Sequence, residues 1–130
     1  MTPDEARERF AAARVARLAT VTPDGAPHVV PICFAVDGDT ILSAVDTKPK
    51  RTLDLKRLRN IAANPAVSVL VDFYDEDWTR VWWARADGTA TVHDSQERAI
   101  ELLSGRYPQF TPAGRVIEIA VERWSGWSAS

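Results

Sequence analysis

Length, composition and charge exclude several classes of protein. At 130 residues with a net charge of −2, the chain fits a single domain, residues 1–130, that can fold without disulfides or metals. The single cysteine, Cys33, excludes an intrachain disulfide and indicates a reducing compartment. No apolar run approaches the ~20 residues of a membrane span, and the first ten residues lack a signal-peptide core. We therefore expect a soluble, cytoplasmic protein with no membrane partner.

Capping residues and turn signals divide the first third of the chain into one helix and three strands. Thr2 and Glu5 can form a capping box, which predicts a helix running to about Ala13. Pro23-Asp24-Gly25 and Asp37-Gly38-Asp39 supply turn chemistry, so the strands should follow one another as a meander. The predicted strands are Ala16–Val21, His28–Val36 and Thr40–Val45.

The remainder of the chain predicts two amphipathic helices and two or three further strands. Apolar residues at three- and four-residue spacing between Leu55 and Ala62 mark a short helix, which Asn64-Pro65 should end. The longest of the later segments is either one strand or two strands bent at Asp87-Gly88. The predicted strands are Val67–Phe73, Thr79–Val92 and Arg115–Trp124, and the second helix is predicted at Gln96–Tyr107.

This element order favours a mainly β (α+β) fold. Strands joined by hairpins argue for an antiparallel sheet or barrel of about six strands with peripheral helices. They argue against a doubly wound parallel sheet. The sequence carries no dinucleotide-binding, phosphate-loop, zinc or nucleophile-elbow motif. We therefore predict no metal site, and the sequence does not identify catalytic residues.

One short segment concentrates the positive charge. Residues 48–59 hold all three lysines and three arginines against a single acid, Asp54, in an otherwise acidic chain. The segment lies at a predicted strand-to-helix junction, where free backbone N–H groups and the helix dipole favour an anion. A solvated helix face is the alternative interpretation. Because nucleic-acid-binding proteins usually have a broadly basic surface, the single cluster favours a discrete anion and no nucleic-acid partner.

The five tryptophans suggest a surface that needs covering. Trp82 and Trp83 are adjacent on a predicted strand, so their side chains should point to opposite faces. One ring can fill the core, whereas the other must meet solvent, a ligand or another subunit. A dimer interface, an aromatic wall for a cofactor and simple barrel filling all remain open.

The histidines and the cysteine have weaker functional interpretations. His28 and His93 lie far apart in sequence with no evident partner, which favours structural roles. Cys33 lies in the apolar run Ile32-Cys33-Phe34, so we expect a buried structural thiol.

The order and spacing of several segments resemble the pyridoxamine 5′-phosphate oxidase-like split β-barrel proteins. Residues 17–31 resemble their first two strands, and residues 57–70 resemble their cofactor-side helix and the strand after it. Three features are most similar to the actinobacterial flavin/deazaflavin oxidoreductases, which use coenzyme F420. These features are the basic segment 48–59, the Asp77-Trp78 and Trp82-Trp83 pairs, and the ending at residues 124–127.

The resemblance implies a split β-barrel homodimer with two cofactor sites at the subunit interface. It implies that basic residues after the third strand hold the cofactor phosphate, with Lys50, Arg51 and Arg57 in that role and Asn60 nearby. Six cations in twelve residues exceed what one phosphate needs, which favours F420 over FMN. The complete set of predicted cofactor contacts is Pro31, Thr47, Lys48, Lys50, Arg51, Lys56, Arg57, Asn60 and Trp78.

The predicted function is therefore F420-dependent transfer of a hydride to or from a small electron-poor substrate. The alternatives are an FMN-binding oxidoreductase of the same fold and a non-catalytic protein that binds a cofactor or a tetrapyrrole. The cofactor carries the chemistry, which explains why no acid–base pair stands out. Water, Tyr74, His28 and Tyr107 all remain open as the proton donor.

Overall fold

In this computed structural model, which describes residues 1–46 and 55–130, seven strands form one antiparallel sheet and three α-helices pack around it. The first half comprises α1 (Pro3–Ala12), β1 (Ala16–Val21), β2 (Pro27–Ile32), β3 (Ala35–Asp37) and β4 (Thr40–Asp46). The second half comprises α2 (Lys56–Ala63), β5 (Ala66–Phe73), a 3-10 turn (Trp78–Arg80), β6 (Trp82–His93), α3 (Glu97–Arg106) and β7 (Pro112–Ser128). No helix within the described ranges is both long and apolar enough to cross a membrane.

The strand order makes the sheet curl into an open barrel. The order is β2-β1-β5-β6-β7-β4-β3, which places β2 and β3 at opposite edges. Only Cys33 and Phe34 separate these two edge strands in sequence, so the edges must approach each other. The predicted antiparallel split barrel is therefore confirmed, with seven strands and without full closure.

The predicted strand His28–Val36 was wrong, because the chain breaks there into β2 and β3. At the break, the Phe34 amide donates to the Tyr107 hydroxyl at 3.1 Å. The Cys33 carbonyl accepts from the Ser43 hydroxyl at 2.8 Å. These side-chain bonds satisfy backbone groups that a continuous strand would have paired with another strand.

β6 begins later than predicted and is irregular at its centre. The 3-10 turn occupies Trp78–Arg80, so Thr79 and Arg80 are not strand residues. The register with β7 shifts between Asp87 and Gly88, which agrees with the bend expected there. A Cβ at Gly88 would overlap the Ala120 carbonyl oxygen, so this bulge needs glycine to let two backbones approach.

The core fills the barrel and extends to α1. Phe10 on α1 is 0% exposed, and its ring centroid lies 5.1 Å from Phe34 and 5.3 Å from Trp124. The expected capping box fixes the start of this helix, since the Thr2 hydroxyl accepts from the Glu5 amide at 3.2 Å. α1 is therefore part of the core and not only a peripheral element.

A second, smaller cluster lies under α3. Ala99 and Leu103 of α3 pack with buried residues of β3, β4 and β7. Val116 of β7 is among them, although it alternates along the strand with the charged residues Glu118 and Glu122. α3 covers this part of the outer face and so buries Val116.

Candidate functional site

A cavity of about 130 Å³ brings Arg57 together with the β2–β3 break. Arg57 is in the first turn of α2, and Pro31 is near the end of β2. Pro31 therefore belongs to β2 and Arg57 to α2, and the fold brings these two elements side by side. The remaining lining residues are Ile32, Cys33, Ser43, Ala44, Val45 and Phe110.

Arg57 has the electrostatics of an anion-binding residue. Its side chain is half-buried, and this burial lowers the pKa of the guanidinium group. Among residues 1–46 and 55–130, no carboxylate pairs with it to offset the desolvation. A desolvated cation without a counter-ion destabilises the protein, and an anion in the cavity would relieve that penalty.

The start of α2 strengthens this interpretation. Leu55 is the N-cap residue and supplies no side-chain hydrogen bond, and the first turn contains no acidic residue. Within the described residues, the first N–H groups of the helix are therefore left for an anion or water. Lys56 is exposed and directly precedes Arg57, so it adds positive charge at the same end of the helix.

The predicted contacts are only partly brought together. Pro31 and Arg57 line one cavity, and Lys56 is adjacent to Arg57 in the first turn of α2. Thr47, Lys48, Lys50 and Arg51 lie outside the described residues, so their contacts remain predictions.

Trp78 lies on a different cavity from Arg57. Its lining is Tyr74, Trp78, Val81 and Trp127, none of which lines the Arg57 cavity. A contact between Trp78 and the cofactor therefore remains a prediction.

Asn60 occupies a buried position in the core side of α2. Its side chain is 2% exposed, and its amide nitrogen donates to the Thr20 hydroxyl of β1 at 3.0 Å. This hydrogen bond ties α2 to the sheet. Its predicted contact with a cofactor remains untested, and the geometry favours a structural role.

We expect Asn60→Ala to lower stability by about 1–3 kcal/mol, because the change removes a buried hydrogen-bond partner of Thr20. Urea denaturation measures the loss. The affinity of the folded variant for a cofactor should stay within about twofold of the parent, a difference below 0.5 kcal/mol. Thr20→Val is the matched control, since it deletes the other partner of the same bond. A normal melt with lost cofactor binding would instead place Asn60 in the binding site.

Cys33 was expected to be buried, but it is partly exposed and lines the Arg57 cavity. The strand break explains the difference, because Cys33 lies between β2 and β3 and not inside a strand. Ser43 and Phe110 were also missed as lining residues. Ser43 is a polar residue at a fully buried position of β4, which a sequence pattern can flag only weakly.

The candidate proton donors have different surroundings. The Tyr107 hydroxyl donates to the Phe34 carbonyl at 2.9 Å and accepts from the Phe34 amide, which gives it a structural role at the strand break. Tyr74 is exposed and lines two other cavities. His28 Nδ1 is buried without a hydrogen-bond partner among the described residues. None of these three lines the Arg57 cavity.

Metal binding has no support in the described part of the chain. No group of three or more histidine, cysteine, aspartate or glutamate side chains in residues 1–46 and 55–130 could hold a metal ion.

Solved structures share this fold over nearly the whole chain. An FAD-binding protein from Mesorhizobium loti is 24% identical with a TM-score of 0.75, over 97% of this chain and 94% of that one. A conserved hypothetical protein from Mycobacterium tuberculosis is 20% identical with a TM-score of 0.74, over 99% and 86%. An FAD-binding protein from Mycobacterium smegmatis is 19% identical with a TM-score of 0.72, over 98% and 94%. At these identities the similarity shows a shared fold.

Comparison at the level of sequence identifies the family of the chain, which the shared fold alone does not. No curated protein matches it. The sequence model of the family described as pyridoxamine 5′-phosphate oxidase, however, matches residues 2–128. The match covers both the barrel and the helix that carries Arg57, in agreement with the resemblance seen in the sequence. The chain therefore belongs to the pyridoxamine 5′-phosphate oxidase family.

Proposed function

We propose that the chain is an oxidoreductase that binds a phosphorylated flavin-type cofactor, with the cofactor phosphate against Arg57. The observation that carries the proposal is the half-buried Arg57 guanidinium, which has no carboxylate partner among the described residues. Family membership supports a redox role, and two proteins of the same fold are described as FAD-binding. A phosphate accepts charge-assisted hydrogen bonds from arginine and matches its planar geometry.

The residues around Arg57 fit such a group. Pro31, Ile32 and Val45 give the cavity apolar walls, which strengthen an ion pair inside by excluding water. The uncapped first turn of α2 offers N–H groups beside the guanidinium. These residues would bind and orient the phosphate end, while the bound cofactor supplies the hydride chemistry.

Coenzyme F420 is the proposed cofactor. Its phospholactate and oligoglutamate tail presents a longer anion than the single phosphate of FMN. Segment 48–59 carries six cations against one acid, and Lys56 is exposed where it can meet such a tail. FMN is the alternative, since a single half-buried arginine is what one phosphate needs. A carrier without catalytic activity is a further alternative, because the described cavity lining contains no carboxylate or histidine.

A homodimer with the site at its interface is the proposed assembly. Val29 and Leu70 are exposed apolar residues of β2 and β5, and the strand register places both side chains on the same outer face of the sheet. β2 is also an edge strand whose free backbone groups favour pairing. A second copy would cover both features.

Side-by-side titration with F420, FMN and FAD tests the proposed cofactor. We expect F420 to bind most tightly and its affinity to fall as salt rises, because screening weakens contacts with an exposed anionic tail. Equal affinities, or a preference for FMN or FAD, would contradict the F420 assignment. Oxidation of bound reduced F420 by a panel of electron-poor acceptors then separates an enzyme from a carrier.

Light scattering tests the proposed homodimer. A stable 14.4 kDa species at micromolar concentration would contradict the dimer.

A further inference from the structure

The β2–β3 break forms one wall of the Arg57 cavity, and side-chain hydrogen bonds hold it in place. Cys33 of the break lines the cavity, and its carbonyl accepts from the Ser43 hydroxyl at 2.8 Å. The Phe34 amide donates to the Tyr107 hydroxyl at 3.1 Å, and the Phe34 carbonyl accepts from that hydroxyl at 2.9 Å. One hydroxyl group therefore binds both backbone polar groups of the residue that directly follows the cavity wall.

Tyr107 is fixed at the end of a rigid helix. It is the C-cap residue of α3, and its amide donates to the carbonyl of Leu103 at 2.9 Å. Leu103 is fully buried in the smaller core cluster under α3. Pro108 follows directly, so the helix stops there and Tyr107 adopts an extended backbone. The position of the hydroxyl is therefore set by α3 and the cluster beneath it.

Arg106 orients the Tyr107 hydroxyl. Its Nε donates to the hydroxyl oxygen at 3.1 Å, and its two terminal nitrogens donate to the carbonyls of Ala11 and Ala13 at the end of α1. A cation is favoured at this position, because the helix dipole is negative at the C-terminus. The hydroxyl oxygen accepts from both Arg106 and the Phe34 amide, so its proton is left to donate to a carbonyl such as that of Phe34.

The segment after α3 also supplies another wall of the cavity. Phe110 lines the Arg57 cavity, and its amide donates to the Tyr107 carbonyl at 2.9 Å. The ring centroids of Tyr107 and Phe110 are 6.4 Å apart. In the described chain Tyr107 itself is not a lining residue of the cavity. It nevertheless contacts Phe110 on one wall and the backbone beside Cys33 on another.

We propose that Tyr107 is a positioning residue for the Arg57 cavity, and that its hydroxyl holds the β2–β3 break in the place that cofactor binding requires. This inference rests on the proposed function, which places the cofactor phosphate in the same cavity. A wall that is fixed before binding leaves less to be ordered when the ligand arrives. Without the hydroxyl, the Phe34 backbone loses its partner and the break opens locally. The cofactor must then order the wall as it binds, which lowers its affinity.

Tyr107→Phe tests the proposal, because it removes the hydroxyl and keeps the ring against Phe110. We expect the affinities for F420 and for FMN each to fall by about three- to tenfold. A second measurement needs no cofactor. N-ethylmaleimide should alkylate Cys33, the single cysteine, at least about threefold faster in the variant, because local opening exposes the thiol. Urea denaturation identifies conditions in which every variant is folded, and both measurements are made there.

Ser43→Ala is an independent second variant. It removes the hydrogen bond to the Cys33 carbonyl and leaves the bonds of Tyr107 in place. We expect it to lower cofactor affinity and to speed alkylation of Cys33 in the same way. The combined variant should lose less affinity than the product of the two single losses, because both hydroxyls act on one short segment. A loss equal to that product would overturn the proposal that the two residues hold the same wall.

Arg14→Ala is the matched control for loss of stability alone. It removes the 3.0 Å hydrogen bond from Arg14 to the Arg106 carbonyl, which joins α1 to α3 without contacting the break. The Arg14 carbonyl, which also accepts from the Tyr107 hydroxyl at 3.0 Å, is kept. We expect this variant to match the parent in cofactor affinity and in the alkylation rate of Cys33.

Three results would overturn the role of Tyr107. They are a parent-like affinity in Tyr107→Phe, a parent-like alkylation rate of Cys33 in that variant, and equal changes in Arg14→Ala. A parent that binds neither F420 nor FMN would instead overturn the proposed function. The alkylation rates alone then decide whether Tyr107 positions the cavity wall, so the two failures are distinguishable.

Discussion

Replacing Arg57 with alanine should weaken cofactor binding by about tenfold or more, and adding Lys50→Ala should bring the loss to about one hundred-fold. A hydrogen bond to a charged group contributes about 1.5–3 kcal/mol, and 1.4 kcal/mol corresponds to a factor of ten. Arg57 is half-buried and has no carboxylate partner among the described residues, so its charge is available to the cofactor phosphate. Lys50 is included because the sequence resemblance alone predicts that it contacts the cofactor phosphate. Titration of the parent and both variants with F420 and FMN measures the effect.

The same change should leave folding nearly intact. An unpaired, partly desolvated cation stabilises a fold little, and its removal relieves part of a desolvation penalty. Thermal melts of the variants should therefore match the parent within a few degrees, since a shift of 4–8 °C corresponds to about 1 kcal/mol in small domains. Loss of binding with a normal melt is the pattern expected of a ligand-binding residue.

Two matched variants sharpen the interpretation. Arg123→Ala removes an exposed arginine of β7 and should leave cofactor affinity unchanged. Arg57→Lys keeps the charge but loses the planar pair of donors, so we expect an intermediate affinity. If the double variant melts normally and binds both cofactors like the parent, the phosphate site lies elsewhere on the chain.

Local chemistry explains which parts of the fold could be predicted. The capping box at Thr2 and the turn at Pro23-Asp24-Gly25 act within a few residues, and the structure has α1 and β1 almost where these signals place them. The break between β2 and β3 could not be predicted in this way. It depends on the Tyr107 hydroxyl, which is 73 residues away in sequence and bonds the Phe34 backbone only in the folded state.

The residues of the candidate site could likewise be predicted only where local sequence determines them. The charge cluster predicted that segment 48–59 binds an anion. Only tertiary packing distinguishes the half-buried Arg57 from the exposed Lys56 beside it. Asn60 lies on the same helix, but its side chain turns inward and bonds Thr20, and its contact with a cofactor stays a prediction. Amphipathic spacing gives the buried face of α2 only approximately, so it could not distinguish these roles.

Replacing Phe10 with alanine should lower the free energy of unfolding by about 3–5 kcal/mol, the usual range for a buried phenylalanine. Its ring is 0% exposed and meets Phe34 and Trp124 edge-on, so the change leaves a cavity and removes two aromatic contacts. Urea denaturation at a fixed protein concentration measures the loss, because an oligomer would make stability depend on concentration.

Tyr74→Ala is the control for this change, since Tyr74 is 71% exposed and should contribute less than about 1 kcal/mol. A loss below that value for Phe10→Ala would mean that α1 does not contribute to the core as the structure indicates.

The Phe10→Ala variant also tests whether the core and the cofactor site are independent. Phe34 follows Cys33 at the strand break, and Cys33 lines the Arg57 cavity. Because Tyr107 holds the Phe34 backbone from the other side, the folded fraction of Phe10→Ala should keep its cofactor affinity. A marked loss of affinity in that fraction would show that Phe10 helps to position the β2–β3 break.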